Sequence, residues 1–439
     1  MRDAILEGAH RVLEKNDIGS MVKAGPALYP HQWSWDAAFV SVGLAHRSVT
    51  RAATEWHTIL NAQWATGMFP HIVFTDTPGY FPGFDVWGTA SAGARPHGQK
   101  TSGICQPPVH GLCLELVQQI GRAAGGSEAA AAEQLISLAL PRLAAWHDWL
   151  ARARDRTGLG VLEIHHGWES GMDNSPRFDT FYDRIEVSEP RSLPRTDLMI
   201  ADSSERPTDQ EYQRYLFLID QMRSVHFDDD LVAQTVSFRC GDIFATACLA
   251  LSADAVARMA EDAGDDELAR TERARAERAR AAVASSVDPV TGLCRDYDIT
   301  MGAWVDVATI AGFSMLICGG DERAVARQRE ILLGERWMGH PANRWRLPGS
   351  VSPADPAYRP RQYWRGPTWP IMNWFFAHAA MLRGDRELAM LLRSEGLAQL
   401  SDLAFGEYYD PALGDPLGSR DQSWSAMAAI DWLVSDRWR

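Results

Sequence analysis

Four segments of this 439-residue chain gather carboxylates, guanidinium groups and aromatic rings: Tyr29-Pro-His-Gln-Trp-Ser-Trp-Asp36, His166-Gly-Trp-Glu-Ser-Gly-Met-Asp-Asn-Ser-Pro-Arg-Phe-Asp179, Arg361-Gln-Tyr-Trp-Arg-Gly-Pro-Thr-Trp-Pro370 and Phe405-Gly-Glu-Tyr-Tyr-Asp-Pro411. Pro and Gly in these runs keep the backbone out of regular helix, so the reactive side chains are presented from loops. Two carboxyl groups, one protonated and one ionised, can protonate a leaving oxygen and activate a water molecule. Flat indole and phenol faces beside them suit the C–H surfaces of sugar rings. Cleavage of a glycosidic bond asks for that combination. Residue types alone do not choose the actors: Glu169, Asp173 and Asp179 compete for the acid, Glu407 competes with Asp410, and Asp36 could be catalytic or hold substrate. Any one of these acids could instead cap a helix or satisfy loop backbone. Four such segments together are harder to explain in that way.

Other chemistries find less support. His165 and His166 are adjacent and point apart, and His31, His71 and His110 lie in loops without the i, i+4 spacing of a helical metal site. The six cysteines (Cys105, Cys113, Cys240, Cys248, Cys294 and Cys318) form no C-x-x-C pair, so buried free thiols are expected, with neither zinc nor a disulfide framework. Phosphate-binding glycine motifs are absent, and the serines of Glu169-Ser-Gly and Gly349-Ser-Val lack the nucleophile-elbow pattern. No cofactor and no metal are expected. A net charge of -14 without any basic block argues against nucleic acid as a partner. The charged, amphipathic N-terminus and the expectation of no apolar run of ~20 residues argue against a membrane and for a cytoplasmic location. Of the 17 tryptophans, about half are expected to be plain core.

Helical periodicity dominates the elements that must carry these loops. It predicts helices over 3–15, 37–44, 52–64, 108–124, 128–153 with a kink or break at Pro141, 208–224, 229–262, 265–286, 303–317, 321–333, 369–383, 386–402 and 422–435, with Thr368 capping the helix that opens at Pro370. Residues 265–286 alternate Glu and Arg with Ala, the pattern of a solvated outer face, whereas 369–383 is apolar on several sides. Alternating outer and inner helices predict two concentric helical rings. The long connections 66–107, 155–207, 335–368 and 403–421 hold the unusual residues. One domain over 1–439 is expected, its site built by loops, with insertions about 66–107 and 155–207 over it.

These segments resemble glycoside hydrolase family 63, in its branch of bacterial glucosylglycerate and mannosylglycerate hydrolases, over essentially the whole chain. The likeness rests on Tyr29-Pro-His-Gln-Trp-Ser-Trp-Asp-Ala-Ala, Thr101-Ser-Gly-Ile-Cys-Gln-Pro-Pro, Gly167-Trp-Glu-Ser-Gly-Met-Asp-Asn-Ser-Pro, Tyr363-Trp-Arg-Gly-Pro, Glu407-Tyr-Tyr-Asp-Pro and Pro416-Leu-Gly-Ser, in the family's order. It implies an all-α (α/α)6 barrel, a toroid whose loops form the active-site mouth and a partial lid. It implies Asp173 as general acid and Glu407 as general base of an inverting reaction, with the carboxyls ~6.5–9.5 Å apart and the acid's pKa raised. Tyr29, Trp33, Trp35, Asp36, Tyr80, Gln106, Gly171, Tyr363 and Trp364 would line the sugar site, with Trp168, Trp369 and Gln422 beside them. Arg206, assisted by Tyr212, would hold a glycerate carboxylate, for which a guanidinium is geometrically suited. The expected partner is a small anionic glycoside, with glucosylglycerate ahead of mannosylglycerate. A trehalase-like glycosidase and a non-catalytic sugar-binding protein stand as rival readings, and a homo-oligomer is left open. Larger family members carry an N-terminal β-rich domain for which this chain has no room, so a role in glycoprotein processing is not expected. Loops 66–107 and 187–212 are expected to fold over the substrate.

Overall fold

The computed structural model describes all 439 residues and is mostly helical. Its principal helices are α1 (Arg2–Asn16), α2 (Ser34–Ala45), α3 (Val49–Asn61), α4 (His110–Ala124), α5 (Gly126–Ala153), α6 (Asp209–Ser224), α7 (Asp229–Thr235), α8 (Ile243–Asp262), α9 (Asp266–Ser285), α10 (Ser314–Cys318), α11 (Glu322–Leu333), α12 (Pro370–Leu382), α13 (Arg386–Gln399) and α14 (Ser423–Val434). Many start where a short polar side chain takes up an orphan N–H: Ser48 before α3, Asp242 before α8, Asp265 before α9, Asp321 before α11 and Asp385 before α13. Thr208 and Glu211 close a reciprocal capping box on α6.

The helices are of two kinds. α2 is buried at every residue, and α8, α10, α12 and α14 nearly so. α3 buries one stripe (Val49, Ala52, Glu55, Trp56, Ile59, Leu60), and α9 turns its alanines inward and its Glu and Arg residues mostly outward. The buried helices pack in a closed succession, α2 on α4, α4 on α8, α8 on α10, α10 on α12, α12 on α14 and α14 back on α2. Each carries the next amphipathic helix against its other side, and α1 covers α14. A hydrophobic core of 110 residues runs through all of them.

Strands are short. β1 (Gln32–Trp33) pairs with β2 (Ile72–Val73), and β7 (Tyr408–Tyr409) with β8 (Pro416–Leu417). Between them lies a four-stranded antiparallel sheet of β3 (Leu162–Ile164), β4 (Cys240–Asp242), β5 (Asp296–Asp298) and β6 (Ala303–Val305), in that order. A second, ten-residue core that includes Phe178, Tyr182, Tyr215 and Phe238 packs beneath its first strands.

Several expectations are corrected. The helix expected over 229–262 is interrupted: β-branched and aromatic residues at 236–238 lead into β4, and Asp242 restarts the helix as the cap of α8. The helix expected over 303–317 shrinks to α10, because Ala303–Val305 pairs with β5 instead. α5 runs unbroken through Pro141, its buried Leu140, Leu143 and Trp146 holding the helix across the missing N–H. α12 has no side-chain cap, since Thr368 pairs with Tyr409 through the backbone. By length and composition α8 could cross a bilayer, contrary to the expectation of no such run, yet it is buried inside the helical packing.

Asp431 of α14 joins several of these helices. Its carboxylate accepts from His46 after α2 (2.8 Å), Trp374 of α12 (2.8 Å), and Arg437 and Trp438 near the C-terminus (2.9 Å each). The Arg437 charge and these donors hold its pKa well below the usual range despite complete burial. Asp431→Ala leaves two indole N–H groups and the Arg437 guanidinium without their acceptor, and should cost at least ~3 kcal/mol in urea unfolding. A loss below ~1 kcal/mol would contradict this role.

Candidate active site

A cavity of about 420 Å³ opens where the N-terminal ends of α2 and α14 meet the long loops, a volume within the range of small-ligand sites. Trp33 caps α2, and Trp35 and Asp36 occupy its first turn. Gln106 Oε1 accepts the Trp35 backbone N–H (3.1 Å), an orphan donor of that turn, and so fixes the Gln106 amide. Gly171 has a φ of +69°, and a Cβ there would meet the Trp35 ring at 2.5 Å, so only glycine brings this loop so close. Trp168 lies parallel to His71, with ring centroids 6.1 Å apart.

The β7–β8 hairpin positions Glu407. Its backbone N–H bonds to Ser419 O (2.7 Å), and Ser419 N–H returns to Glu407 Oε2 (3.0 Å). Gly418, at φ +65°, lies so near that a Cβ would stand 2.5 Å from Oε2. Tyr29 donates its hydroxyl to Oε1 at 2.7 Å. Asp173 has no such side-chain donor. Its loop is held from behind, where Asn174 Oδ1 accepts from Trp364 N (3.0 Å) and Asn174 O from Arg365 (3.1 Å). Tyr363 adopts φ +35°, a strained conformation for a tyrosine, and its hydroxyl lies 3.2 Å from that of Tyr29.

Desolvation pushes the Asp173 carboxyl up to about 7, opposed by Arg206 and reinforced by Glu407. Desolvation also raises Glu407, but there Arg206, the Ser419 N–H and the Tyr29 hydroxyl all oppose it. Asp36, buried and near Glu407, is raised well above its ordinary value. The expectation of a single raised carboxyl is thus too simple: three share the cavity, and they differ in the donors each receives.

At another part of the wall stands Arg206. It is buried, donates to Tyr29 Oη at 3.0 Å and stacks over Tyr363 at 4.5 Å. Its link to Asp197 is a single long contact of 3.4 Å, because Arg195 takes both Asp197 oxygens at 2.8 Å. Arg195 also covers the Tyr212 ring at 4.0 Å.

Tyr29, Trp33, Trp35, Asp36, Tyr80, Gln106, Trp168, Gly171, Asp173, Arg206, Tyr212, Tyr363, Glu407 and Gln422 all line this cavity. Trp364 and Trp369 do not. They stack on each other at 3.6 Å, almost fully buried, and Trp369 backs Tyr363 and Tyr408 from behind. Counting these two, nine of the 17 tryptophans are completely buried, which is why indole content overstates the sugar-facing surface. The competing acids are engaged elsewhere: Glu169 with Arg154 (2.6 Å), Asp179 with Arg365 (2.8 Å) and Asp410 with Arg361 (3.2 Å). Sequence reasoning missed His71, Phe81, Asp197, Met199 and Trp424 as cavity residues. Trp424 follows Gln422 by two positions at the start of α14 and carried a readable signal; Asp197 and Met199 sit in a single 3-10 turn, Thr196–Met199, within a long connection and carried none.

Geometry without access is no site. Ser252 Oγ, His147 and Glu272 form a Ser-His-Glu chain (2.9 and 2.6 Å) in the core, but all three are completely buried, and the serine oxygen also accepts the Gly111 N–H.

Carboxyls of unequal proton affinity, set between aromatic faces in one recess, are the equipment for cleaving glycosides, and the chain is a glycosidase. Residues 29–425 match the family described as mannosylglycerate hydrolase MGH1-like glycoside hydrolase domain, and the chain belongs to that family. It is 44% identical to a glucosylglycerate hydrolase of Mycolicibacterium hassiacum, over 96% of each chain. It is 34% identical to a mannosylglycerate hydrolase of Thermus thermophilus, over 97% of this chain and 99% of that one. The crystal structure of a GH63 mannosylglycerate hydrolase from Thermus thermophilus, in complex with Tris and D-glycerate, superposes with a TM-score of 0.89 at 32% identity, covering 98% of this chain and 99% of that one.

The raised Asp173 pKa has a consequence for stability. Below ~pH 4 the carboxyl is protonated whether the chain is folded or not; as pH rises from there towards 7, only the unfolded chain ionises it, and stability falls. Asp173→Asn removes that loss. The variant should gain about 2–4 kcal/mol on the wild type between ~pH 4 and ~pH 8 in urea unfolding, at about 1.4 kcal/mol per unit. A pH-independent difference would rule out the raised pKa.

Proposed function

We propose that this chain is an inverting hydrolase of glucosylglycerate, with Asp173 as general acid and Glu407 as general base, built as one (α/α)6 domain over residues 1–439. The closed succession of buried helices, each backed by an amphipathic one, supports the barrel reading. The observation that carries the chemistry is the asymmetry of the two carboxyls. Asp173, without a side-chain donor and pushed up to about 7, can hold a proton; Glu407, receiving the Tyr29 hydroxyl and the Ser419 N–H, is the better anion.

In this reading the glucosyl ring lies against Trp33, Trp35 and Tyr363, with Asp36, Gln106 and Gln422 available to its hydroxyls. The glycerate carboxylate pairs with Arg206, whose hold on Asp197 is weak enough to yield, and Tyr212 assists. Glu407 takes a proton from water as the water oxygen bonds to the anomeric carbon. The glycosidic C–O bond breaks on the opposite face, and its electron pair takes the proton of Asp173, releasing glycerate and glucose of inverted configuration. The M. hassiacum relative, named for glucosylglycerate, favours the gluco substrate, and the Thermus relatives, named for mannosylglycerate, keep the manno epimer as the second reading. Six free, buried cysteines suit a reducing compartment, and we assign the reaction to the cytoplasm.

Glycerate release from glucosylglycerate and from mannosylglycerate, measured side by side, tests the assignment. Turnover should be faster on the glucoside, and Asp173→Ala and Glu407→Ala should each abolish it while leaving substrate binding nearly intact. Arg206→Ala should raise KM by about ten- to a hundredfold, the worth of one hydrogen-bonded charge. Near-wild-type turnover in either carboxyl variant, or faster cleavage of a neutral disaccharide such as trehalose, would refute the reading.

A further inference from the structure

The Tyr29 hydroxyl stands between the two groups that the proposed reaction uses for different tasks. It donates to Glu407 Oε1 at 2.7 Å and accepts from Arg206 Nη1 at 3.0 Å. With its proton engaged by the carboxylate, it receives the nearby Tyr363 hydroxyl at 3.2 Å. Glu407, Arg206 and Tyr363 are buried and Tyr29 is half-buried at the cavity wall, and Arg206 lies over both phenol rings, at 4.5 Å from Tyr363 and 5.9 Å from Tyr29. A hydroxyl that accepts from a guanidinium is a stronger donor to the carboxylate beyond it, because bonds in such a chain polarise one another. The geometry points to Tyr29 as a positioning residue that couples recognition of an anionic aglycone to the strength of the base. This rests on the functional reading above.

The direction of the coupling follows from the charges. Glu407 is faced by Tyr29 and Asp36 from the segment opening α2, by Asp173, by Glu205 and Arg206, by Tyr363, and by its neighbour Tyr408. Arg206 is the one cation among them. In the free enzyme it stabilises Glu407 as carboxylate, directly and through Tyr29, and this makes Glu407 a weak base. A carboxylate on the aglycone neutralises Arg206 and draws it from Tyr29. The donation to Glu407 then weakens, and the base strengthens only when the anionic substrate is in place. The same neutralisation removes the main influence opposing a protonated Asp173. A neutral aglycone of the same size would occupy the site without this effect, so selectivity would be expressed in turnover as well as in binding.

Rates measured from about pH 4 to pH 9 test this with glucosylglycerate and with the glucoside of glycerol, on wild type and Tyr29→Phe. For the wild type on glucosylglycerate, the acidic limb of kcat should lie about one unit above that of kcat/KM, the scale of one charge within a few ångströms. The two limbs should coincide for the glycerol glucoside. In Tyr29→Phe the kcat/KM limb should move upward and narrow the gap. An unchanged gap in Tyr29→Phe, or an equal gap with the neutral aglycone, would overturn the coupling, as would a variant that changes KM alone. Should the variant fail to fold, the comparison of the two aglycones decides by itself. Absence of wild-type glycerate release would be a separate failure, that of the function, and would remove the coupling with it.

Discussion

Residues 167–177 form an irregular loop pinned at both ends by buried guanidinium–carboxylate contacts, and the geometry of the cavity depends on those pins. At the first, Glu169 accepts from Arg154 (2.6 and 3.1 Å) and from the backbone N–H groups of His165 (2.6 Å) and Cys105 (3.2 Å). This ties the loop to the end of α5 and to the segment that carries Gln106. At the second, Arg177 donates to Asp296 (2.9 Å) and Asp242 (2.9 Å), fastening the loop to β4 and β5. Buried ion pairs recover their desolvation cost only with good geometry and satisfied partners, and contribute little net stability. What they supply here is position: Asp173 lies midway between the two pins. Gly171 against Trp35 and Asn174 against Trp364 then fix how far the loop leans into the cavity.

Electrostatics divides labour among carboxyls that burial alone would make alike. Desolvation raises Asp36, Asp173 and Glu407 together. Glu407 is offset by two donors, one from a loop N–H and one from Tyr29, whereas Asp173 receives none from a side chain. That difference was built by the backbone as much as by side chains, since the β7–β8 pairing brings Ser419 N–H to Oε2. The hairpin is in turn tied to the segment before α12, where Thr368 and Tyr409 exchange backbone bonds of 3.0 and 2.9 Å. Elements distant in sequence thus converge on one proton balance.

The sequence made the helical framework legible because period and caps agree: α3, α9 and α13 lie within a few residues of expectation. It failed where an apolar run served a strand. Residues 236–242 and 303–305 look helical when apolar recurrence is counted over a long window, and only pairing in the four-stranded sheet, with β3 and β5 for the first and with β5 for the second, makes β4 and β6 extended. The aromatic segments were legible as cavity walls, but depth was not. Tyr363 and Trp364 are neighbours, yet the strained turn sends the phenol into the cavity and the indole behind it. Choosing among the acids was equally beyond spacing, since Glu169 and Asp173 are separated by four residues and by a buried ion pair that no local pattern reveals.

Three buried arginines show that residue type decides less than pairing. Arg154 gives both terminal nitrogens to Glu169, and Arg177 is shared between two aspartates; their charges are cancelled where they stand. Arg206 is as deeply buried, but its carboxylate is already held by Arg195, and its nearest strong contact is an uncharged phenol. A buried cation left under-compensated is costly to the free protein, and that cost is lowered when an anion arrives. The first two arginines therefore belong to the scaffold and the third to the ligand. The same argument separates the Ser252–His147–Glu272 chain from the cavity: its hydrogen bonds are satisfied internally, with nothing left to offer a substrate.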